Sequence, residues 1–291
     1  MTAEEEAAPN LEALLTMSAP ELRATMIALR EKQTAHCPPP KLEEPANITN
    51  SDFRGPESIV PVRIYTPKGS GPFPCIVFYH GGGWVFGNLD VYDSLCRAMC
   101  VGTGAVLVSV DYRLAPENKF PAAVEDAYAA LLHVKKNAKI YNIDTTRIAV
   151  AGDSAGGNIS AVVTLMTRDR KGPNIKFQCL IYPACDFRST AGQHSAMLQH
   201  KSEDADNIYA SPLKADLSGL PAAYLLTCDD DVALRDEGRA YYEKLEACGV
   251  PCEYVNMEGL SHGFFDQNKH QVPAIAKYQD DAFLAIKKGL A

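Results

Sequence analysis

The amino-acid sequence predicts an α/β fold, with a mostly parallel central sheet and helices on both of its faces. Short apolar runs at 105–110, 147–151, 177–182 and 222–228 alternate with helix-length segments. Strands that are apolar on both faces are typical of parallel sheets buried between helices. In addition, a Gly-x-Ser-x-Gly pentapeptide at 152–156 stands between one of these runs and a segment suited to a helix. Strand, sharp turn and helix are therefore expected to follow one another there.

We predict a helical region at residues 1–45, which precedes the main domain at residues 46–291. Apolar residues recur at helical spacing between 11 and 31, with Ser18 placed to cap a helix and Pro20 in its first turn. The Cys-Pro-Pro-Pro run at 37–40 then breaks the helical pattern. We expect one or two amphipathic helices here, forming part of a cap.

Strands begin near residue 48. Segment 59–65 alternates, 75–79 is apolar throughout, and the Gly-Ser-Gly-Pro run at 69–72 predicts a hairpin-type loop between them. The remaining predicted elements are helices at 91–102, 121–137, 155–168, 235–247 and 273–288 and a last strand at 252–257.

Segment 186–218 interrupts this alternation. It is polar and loop-rich, with only a weak helical pattern, and it lies between two predicted strands. We expect an insertion at the carboxyl edge of the sheet, which serves either as decoration or as a lid. As a lid, its partner would be the N-terminal helices.

Composition argues against several classes of function. The 291 residues carry a formal net charge of −8 and the pI is near 5.4, so no nucleic-acid partner is expected. The acidic start does not resemble a secretory signal, and no apolar run reaches the ~18 residues of a membrane span. Nine cysteines, an odd number, predict reduced thiols and a cytoplasmic location. No metal site is expected, because no cysteine pair has a matching second pair or a nearby histidine pair.

The pentapeptide places Ser154 in the turn between strand and helix. Gly152 and Gly156 lack side chains, which allows helix and strand to approach closely. Such a turn exposes the serine hydroxyl as a nucleophile. The Ala155 N–H and the positive end of the helix dipole face the place where negative charge would develop. The alternative is an ordinary turn in which Ser154 caps the helix.

Three glycines, Gly81, Gly82 and Gly83, follow the apolar run 75–79. Glycines expose backbone N–H groups without side chains in the way, as an oxyanion hole requires. A phosphate-binding loop is the competing use, but the Lys-Ser/Thr ending and the G-x-G-x-x-G spacing are both missing. We therefore predict an oxyanion hole at these glycines.

A serine nucleophile needs a base, and His262 is the best placed of seven histidines. It follows the last predicted strand in a loop, at the sheet edge where Ser154 is expected. The acid that orients this histidine should lie between them at a strand end, and three aspartates at 229–231 follow the strand 222–228. One of them would accept the histidine N–H and stabilise the imidazolium.

With these motifs the chain resembles the hormone-sensitive-lipase-like α/β-hydrolases, or bacterial family IV esterases, which include arylacetamide-deacetylase-like enzymes. The matching motifs, in the family's order, are His80-Gly-Gly-Gly-Trp84, Asp111-Tyr-Arg-Leu-Ala-Pro-Glu117, Gly152-Asp-Ser-Ala-Gly-Gly157, Leu234-Arg-Asp-Glu-Gly238 and His262-Gly-Phe264. The resemblance implies an α/β-hydrolase fold with a helical cap. It also implies Ser154 as nucleophile, His262 as base, and an oxyanion hole from the N–H of Ala155 and two of the three glycines, with Gly82 and Gly83 favoured.

The acid position departs from the family pattern. The family's acid opens an Asp-x-Leu-Arg-Asp-Glu run, whereas here Asp231-Val-Ala-Leu-Arg-Asp-Glu237 holds one extra residue, so that an ungapped alignment lands on Val232. Because one extra loop residue costs little free energy, Asp231 is predicted as the acid, with Asp230 as the next candidate.

Two further sets of residues lie near the predicted site. The stretch 111–117 follows a strand and is predicted to brace the glycine loop through hydrogen bonds. Trp84 and Tyr182 also follow strands at this edge, so each is predicted either to line the substrate pocket or to belong to the core.

The sequence thus predicts a carboxylesterase that hydrolyses short- to medium-chain esters through an acyl-enzyme, with no cofactor. Its partner would be a small-molecule ester, and no stable membrane insertion is expected. The sequence does not decide between a monomer and a homodimer. An amidase or deacetylase acting on arylacetamide-like substrates is one alternative. A non-catalytic small-molecule receptor on the same scaffold is the other, although receptors that resemble this family lack the histidine found here at 262.

Overall fold

The centre of the protein is an eight-stranded sheet. This computed structural model describes residues 17–34, 41–188 and 202–291. In chain order the strands are β1 (Asn47–Arg54), β2 (Ile59–Thr66), β3 (Phe73–Tyr79), β4 (Val106–Val110), β5 (Ile143–Asp153), β6 (Phe177–Ile181), β7 (Ala222–Cys228) and β8 (Cys252–Met257). They stand in the order β1-β2-β4-β3-β5-β6-β7-β8. The pairings of β1 with β2 and of β2 with β4 are antiparallel, and the other pairings are parallel. The prediction of a mostly parallel sheet is confirmed.

Helices cover both faces of this sheet. They are α1 (Ala19–Thr34), α2 (Asp93–Thr103), α3 (Ala122–Lys136), α4 (Ala155–Asp169), α5 (Val232–Ala247) and α6 (Ala276–Leu290). Successive residues of a strand point to opposite faces. Accordingly Val77 packs in one apolar cluster with α3 and α4, while Ile76 packs in another with α2 and α6. Among the described residues, no helix combines the length and the apolar character needed to cross a membrane.

The predicted hairpin at 69–72 is wrong. β3 pairs with β4 and β5 in parallel, and β2 pairs with β1 and β4, so the segment at 69–72 is a crossover rather than a hairpin turn. The burial of the two strands explains why they are not neighbours. β3 is buried along almost its whole length, which suits a central strand, whereas β2 alternates between exposed and buried residues in its first half.

The N-terminal helix begins where the sequence predicts it. Ser18 precedes α1, and its hydroxyl and its N–H both donate to the Glu21 carboxylate, at 2.6 and 2.9 Å. The first predicted helical segment, up to residue 16, lies outside the described residues, as do 35–40 and the part of the insertion at 189–201. The predicted bounds of the cap therefore stay predictions.

The parallel strands bring their carboxyl ends to one edge of the sheet. β3 ends at Tyr79, β5 at Asp153, β7 at Cys228 and β8 at Met257. The loops that follow these strands hold the glycine run, Ser154, the three aspartates and His262. Parallel topology places ligand sites at this edge.

Candidate active site

Ser154 sits in a strained turn between β5 and α4. Its φ is 55° and its ψ is −118°, which is outside the conformations that non-glycine residues normally adopt. A Cβ on Gly156 would lie 1.9 Å from the Tyr79 carbonyl oxygen, and one on Gly152 would lie 2.3 Å from the Gly156 carbonyl oxygen. Glycine is therefore required at both positions. The Ser154 hydroxyl makes no capping hydrogen bond to α4, so the alternative of an ordinary capping serine is wrong.

The Ser154 hydroxyl lies against His262. His262 Nε2 is 2.9 Å from Ser154 Oγ, and His262 Nδ1 is 2.6 Å from Asp231 Oδ2. Ser154 is 9% exposed, and the Asp231 side chain is also largely buried while that of His262 is more open. The structure thus brings together the three residues that the sequence analysis singled out.

The three neighbouring aspartates have different surroundings. The Asp229 carboxylate accepts a hydrogen bond from the Asn256 side-chain amide. Asp230 is exposed. Asp231 Oδ1 accepts from the Leu234 N–H at 3.4 Å, at the start of α5, which leaves Oδ2 on the histidine. The extra residue in this loop is thus compatible with contact between Asp231 and His262.

The glycine loop shows that Gly81 has a different role from the one predicted. Its N–H already donates to Asp153 Oδ1 at 3.0 Å and contacts the Tyr92 hydroxyl at 3.1 Å. This N–H is therefore unavailable to an oxyanion, and the prediction that includes Gly81 among the donors is corrected. Among the described residues, the N–H groups of Gly82, Gly83 and Ala155 donate to no protein acceptor.

Asp153 is the residue at this site that the sequence analysis missed. It is 2% exposed, and besides Gly81 it accepts a hydrogen bond from the Tyr92 hydroxyl at 2.9 Å. Burial, together with the nearby Asp266, raises the pKa of the Asp153 carboxyl to about 7. The available signal was a charged residue that follows the apolar run 148–151 and Gly152 and stands directly before the nucleophile. Asp153 ties the glycine loop to the nucleophile turn.

The predicted brace at 111–117 is confirmed. The Tyr112 hydroxyl donates to the His80 carbonyl oxygen at 2.7 Å, and the two rings stack with centroids 4.3 Å apart. The Ala115 N–H donates to the Trp84 carbonyl oxygen at 2.8 Å. Both ends of the glycine loop are therefore held by this segment.

The His80 ring is buried and neutral. Its Nδ1 lies 2.8 Å from the Gly81 carbonyl oxygen, which can only accept, so the ring proton is on Nδ1. Burial lowers the pKa of His80 to about 4, and the Gly81 contact opposes this only in part. As pH falls from about 6.5 towards 4, the unfolded chain binds a proton that the folded protein excludes, so the free energy of unfolding should drop by about 3 kcal/mol.

This contribution is measurable by denaturant unfolding between pH 4 and pH 8. The His80→Asn variant should lose stability less steeply than the wild type as pH falls through this range. The same exchange at the exposed His270 provides the control. Parallel pH dependence in wild type and His80→Asn would contradict a neutral, buried His80.

An apolar pocket lies against α4 and is bordered there by Asn158. The space between its walls is roughly 350 Å³ when the part open to solvent is included, and it is lined by Trp84, Ala115, Asn118, Phe120, Ala123, Val124, Asn158, Phe187, Tyr209 and Ala210. Trp84 meets Phe187 edge to face, with ring centroids 4.9 Å apart. Asn158 lies one helical turn after Ser154 on α4. Trp84 is thus among the residues that line this pocket, and its predicted role as a wall of the substrate pocket stays a prediction.

Tyr182 does not line this pocket, and its predicted role as a pocket wall is wrong. Its side chain is fully buried, and its ring lies 4.5 Å from the His262 ring, centroid to centroid. The Tyr182 hydroxyl accepts a hydrogen bond from the Phe265 N–H at 3.2 Å. Tyr182, the residue directly after β6, has a φ of 33° and its side chain is buried. It therefore supports the loop that carries His262 from the protein interior.

A second buried acid supports the loop after β6. Glu237 Oε2 accepts hydrogen bonds from the N–H groups of Cys185 and Asp186, at 2.8 and 2.9 Å. Glu237 belongs to the Leu-Arg-Asp-Glu-Gly motif at 234–238. The motif was the sequence signal that this residue matters. The motif could not identify the residues that Glu237 binds, because they lie about 50 residues away in the sequence.

The chain is similar to known proteins over most of its length. A family model for the α/β-hydrolase fold matches residues 76–266. The chain is 41% identical over 253 residues to carboxylesterase NlhH of Mycobacterium tuberculosis, covering 79% of each protein. It is 30% identical to arylacetamide deacetylase of Bos taurus, covering 77% of this chain and 76% of that protein.

Solved structures of esterases resemble the whole fold. The thermostable carboxylesterase EstE1, cloned from a metagenomic library, superposes with a TM-score of 0.88 at 37% identity, covering 95% of this chain and 99% of that one. A thermostable esterase from Pseudomonas putida gives a TM-score of 0.88 at 31% identity, with coverage of 99% and 94%. The likeness extends well beyond the residues around Ser154.

Proposed function

Because this chain belongs to the hormone-sensitive-lipase-like family of α/β-hydrolases and is a carboxylic ester hydrolase, we propose that it works through a triad of Ser154, His262 and Asp231. The observation that carries this proposal is the continuous line of contacts, 2.9 Å from Ser154 Oγ to His262 Nε2 and 2.6 Å from His262 Nδ1 to Asp231 Oδ2. A nucleophile within hydrogen-bond reach of a base, and a base held by a carboxylate, are what acyl transfer requires.

Acylation begins with attack of Ser154 Oγ on the ester carbonyl carbon. His262 Nε2 takes the serine proton as the new C–O bond forms, and Asp231 stabilises the imidazolium. The carbonyl oxygen becomes an oxyanion facing the N–H groups of Gly82, Gly83 and Ala155. The tetrahedral intermediate then collapses, the ester C–O bond breaks, and His262 gives its proton to the leaving alcohol.

Deacylation repeats these steps with water. His262 Nε2 removes a proton from water, which attacks the acyl carbon of the ester on Ser154. The second tetrahedral intermediate expels Ser154 Oγ, which recovers its proton from His262. Acid product and free enzyme result, and no cofactor takes part.

The apolar pocket bordered by Asn158, one helical turn after Ser154, is called the acyl pocket below, and it supports short- to medium-chain acyl groups as substrates. Its aromatic walls, Trp84 and Phe187, give an apolar chain the contact that it needs. We place the enzyme in the cytoplasm, because all eight cysteines among the described residues are free. The cap would consist of the N-terminal region 1–45 and the insertion 186–218, and assembly as a homodimer stays a proposal.

A series of p-nitrophenyl esters from acetate to palmitate tests the substrate class. We expect kcat/KM to be highest for short and medium acyl chains and to fall steeply for longer ones, because the acyl pocket between Trp84 and Phe187 is small. Rates that keep rising up to palmitate would contradict a small pocket. Absence of turnover on every ester by folded protein would contradict the proposed function itself.

Amide hydrolysis is the second candidate, favoured by the similarity to arylacetamide deacetylase. The same triad can cleave both bonds, but an amide releases a poorer leaving group. p-Nitroacetanilide and p-nitrophenyl acetate, which share their acyl group, separate the two activities. A kcat/KM for the anilide equal to that for the ester would favour the amidase.

A further inference from the structure

Arg23 on α1 bridges two loops that border the proposed active site. Its Nε donates to the Val85 carbonyl oxygen at 2.8 Å, and its Nη2 donates to the Ala115 carbonyl oxygen at 3.0 Å. The same guanidinium holds both carboxylate oxygens of Glu117, at 2.9 and 2.7 Å. One side chain thus makes four hydrogen bonds to two loops. Arginine can do this because its five donors lie in one rigid plane.

These two loops carry two of the proposed oxyanion donors, Gly82 and Gly83, and one wall of the acyl pocket. The Val85 N–H closes a tight turn on the Gly82 carbonyl oxygen at 3.1 Å, and Gly83 lies within that turn. Ala115 donates its N–H to the Trp84 carbonyl oxygen, and both residues line the acyl pocket. A shift of Val85 or Ala115 would therefore move oxyanion donors and pocket wall together.

Arg23 projects from a helix that is itself anchored. The neighbouring Leu22 is buried and belongs to the same apolar cluster as Trp84 and Val85. At the start of α1, the N–H and the hydroxyl of Ser18 both donate to the Glu21 carboxylate, which ties Ser18 to the first turn. The guanidinium is therefore presented to the two loops from a defined position.

We propose that Arg23 is a positioning and specificity residue, which holds the turn at 82–86 against the loop at 115–117 and so sets both the oxyanion donors and the width of the acyl pocket. It touches no reacting atom. Its kinetic consequences rest on the proposed function, whereas its effect on the turn does not. An isolated surface ion pair with Glu117 would influence neither the turn nor the pocket.

Trp84 reports on the turn independently of activity. It is the chain's single tryptophan, and it is 5% exposed. In Arg23→Ala we expect its fluorescence to shift to longer wavelength and its quenching by acrylamide to increase, because Val85 and Ala115 lose their anchor. Arg147→Ala is a matched control. Arg147 donates to Asp144 at 2.7 Å and to the Pro72 carbonyl oxygen at 3.0 Å, at the opposite edge of the sheet.

Steady-state kinetics then test the link to the active site. Arg23→Ala should lower kcat for p-nitrophenyl butyrate by about 10- to 100-fold, since small displacements of catalytic groups cost this much. The ratio of kcat/KM between acetate and octanoate should also change, while Arg147→Ala keeps both wild-type values. Arg23→Lys should recover only part of kcat, because one ammonium cannot serve two carbonyls and a carboxylate in a plane.

Two outcomes would overturn the proposal. One is an Arg23→Ala variant with wild-type Trp84 emission and quenching; the other is an altered emission with unchanged kcat and chain-length ratio. If Arg23→Ala does not fold, Arg23→Lys and Glu117→Gln are measured in the same way and decide by the same criteria. A wild type inactive on all esters refutes the proposed function, and the Trp84 measurements still decide whether Arg23 holds the turn.

Discussion

Replacing Ser154 by alanine should lower kcat for p-nitrophenyl butyrate by a factor on the order of 10⁶, the size of effect seen when the nucleophile of a serine protease is removed. No other hydroxyl in the described structure is 2.9 Å from His262 Nε2 with the proposed oxyanion donors beside it. The residual rate would come from the oxyanion hole and the acyl pocket acting on water alone. The kcat of each protein is measured from the release of p-nitrophenol, with protein purified free of contaminating esterases.

Ser160→Ala on the same helix is the control for this substitution. The Ser160 hydroxyl donates to the Gly156 carbonyl oxygen at 2.8 Å within α4 and does not approach His262. This variant should keep wild-type kcat, and the Ser154→Ala protein should keep the wild-type unfolding temperature. Retention of more than about a hundredth of the wild-type kcat by Ser154→Ala would show that the main route does not use this serine.

Exchanging Asp231 for asparagine should reduce kcat by about 10⁴, by analogy with the serine protease triad, because the amide cannot hold His262 in the tautomer that accepts the Ser154 proton. Stability should change little. Asp231 Oδ1 also caps α5 through the Leu234 N–H, and asparagine is an equally good capping residue. A large loss of kcat without a loss of unfolding free energy is thus the expected signature.

Asp230→Asn is the matched control, because Asp230 is the exposed neighbour of Asp231 in the same loop. It should retain near wild-type kcat. Should Asp231→Asn prove nearly as active as the wild type while Asp230→Asn is inactive, the acid of the triad would have to be reassigned.

The nucleophile turn and the order of the site could be predicted because their causes are local. Gly152 and Gly156 have to lack side chains where strand and helix meet, and this requirement is visible as a pentapeptide. The position of His262 follows from topology, since parallel strands end at one edge. Asp231 could also be placed at this edge, despite the extra residue that follows it.

What could not be predicted depends on contacts between distant parts of the chain. Asp153 reaches Gly81 across 72 residues and Tyr92 across 61, and no spacing rule links them. Tyr182 was placed at the correct edge, but strand position does not tell whether a side chain faces the pocket or the core. The hairpin predicted at 69–72 failed for the same reason, since the partners of β3 come later in the chain.

Covalent labelling tests the central claim, a serine acyl-enzyme at residue 154, most directly. Wild-type protein would be treated with a p-nitrophenyl alkylphosphonate, digested with trypsin, and the peptide 148–168 sequenced by mass spectrometry. We predict one equivalent of p-nitrophenol released and the phosphonyl group on Ser154, with no label on that peptide in Ser154→Ala. An enzyme that hydrolyses esters yet carries the label on another residue, or carries none, would contradict the account.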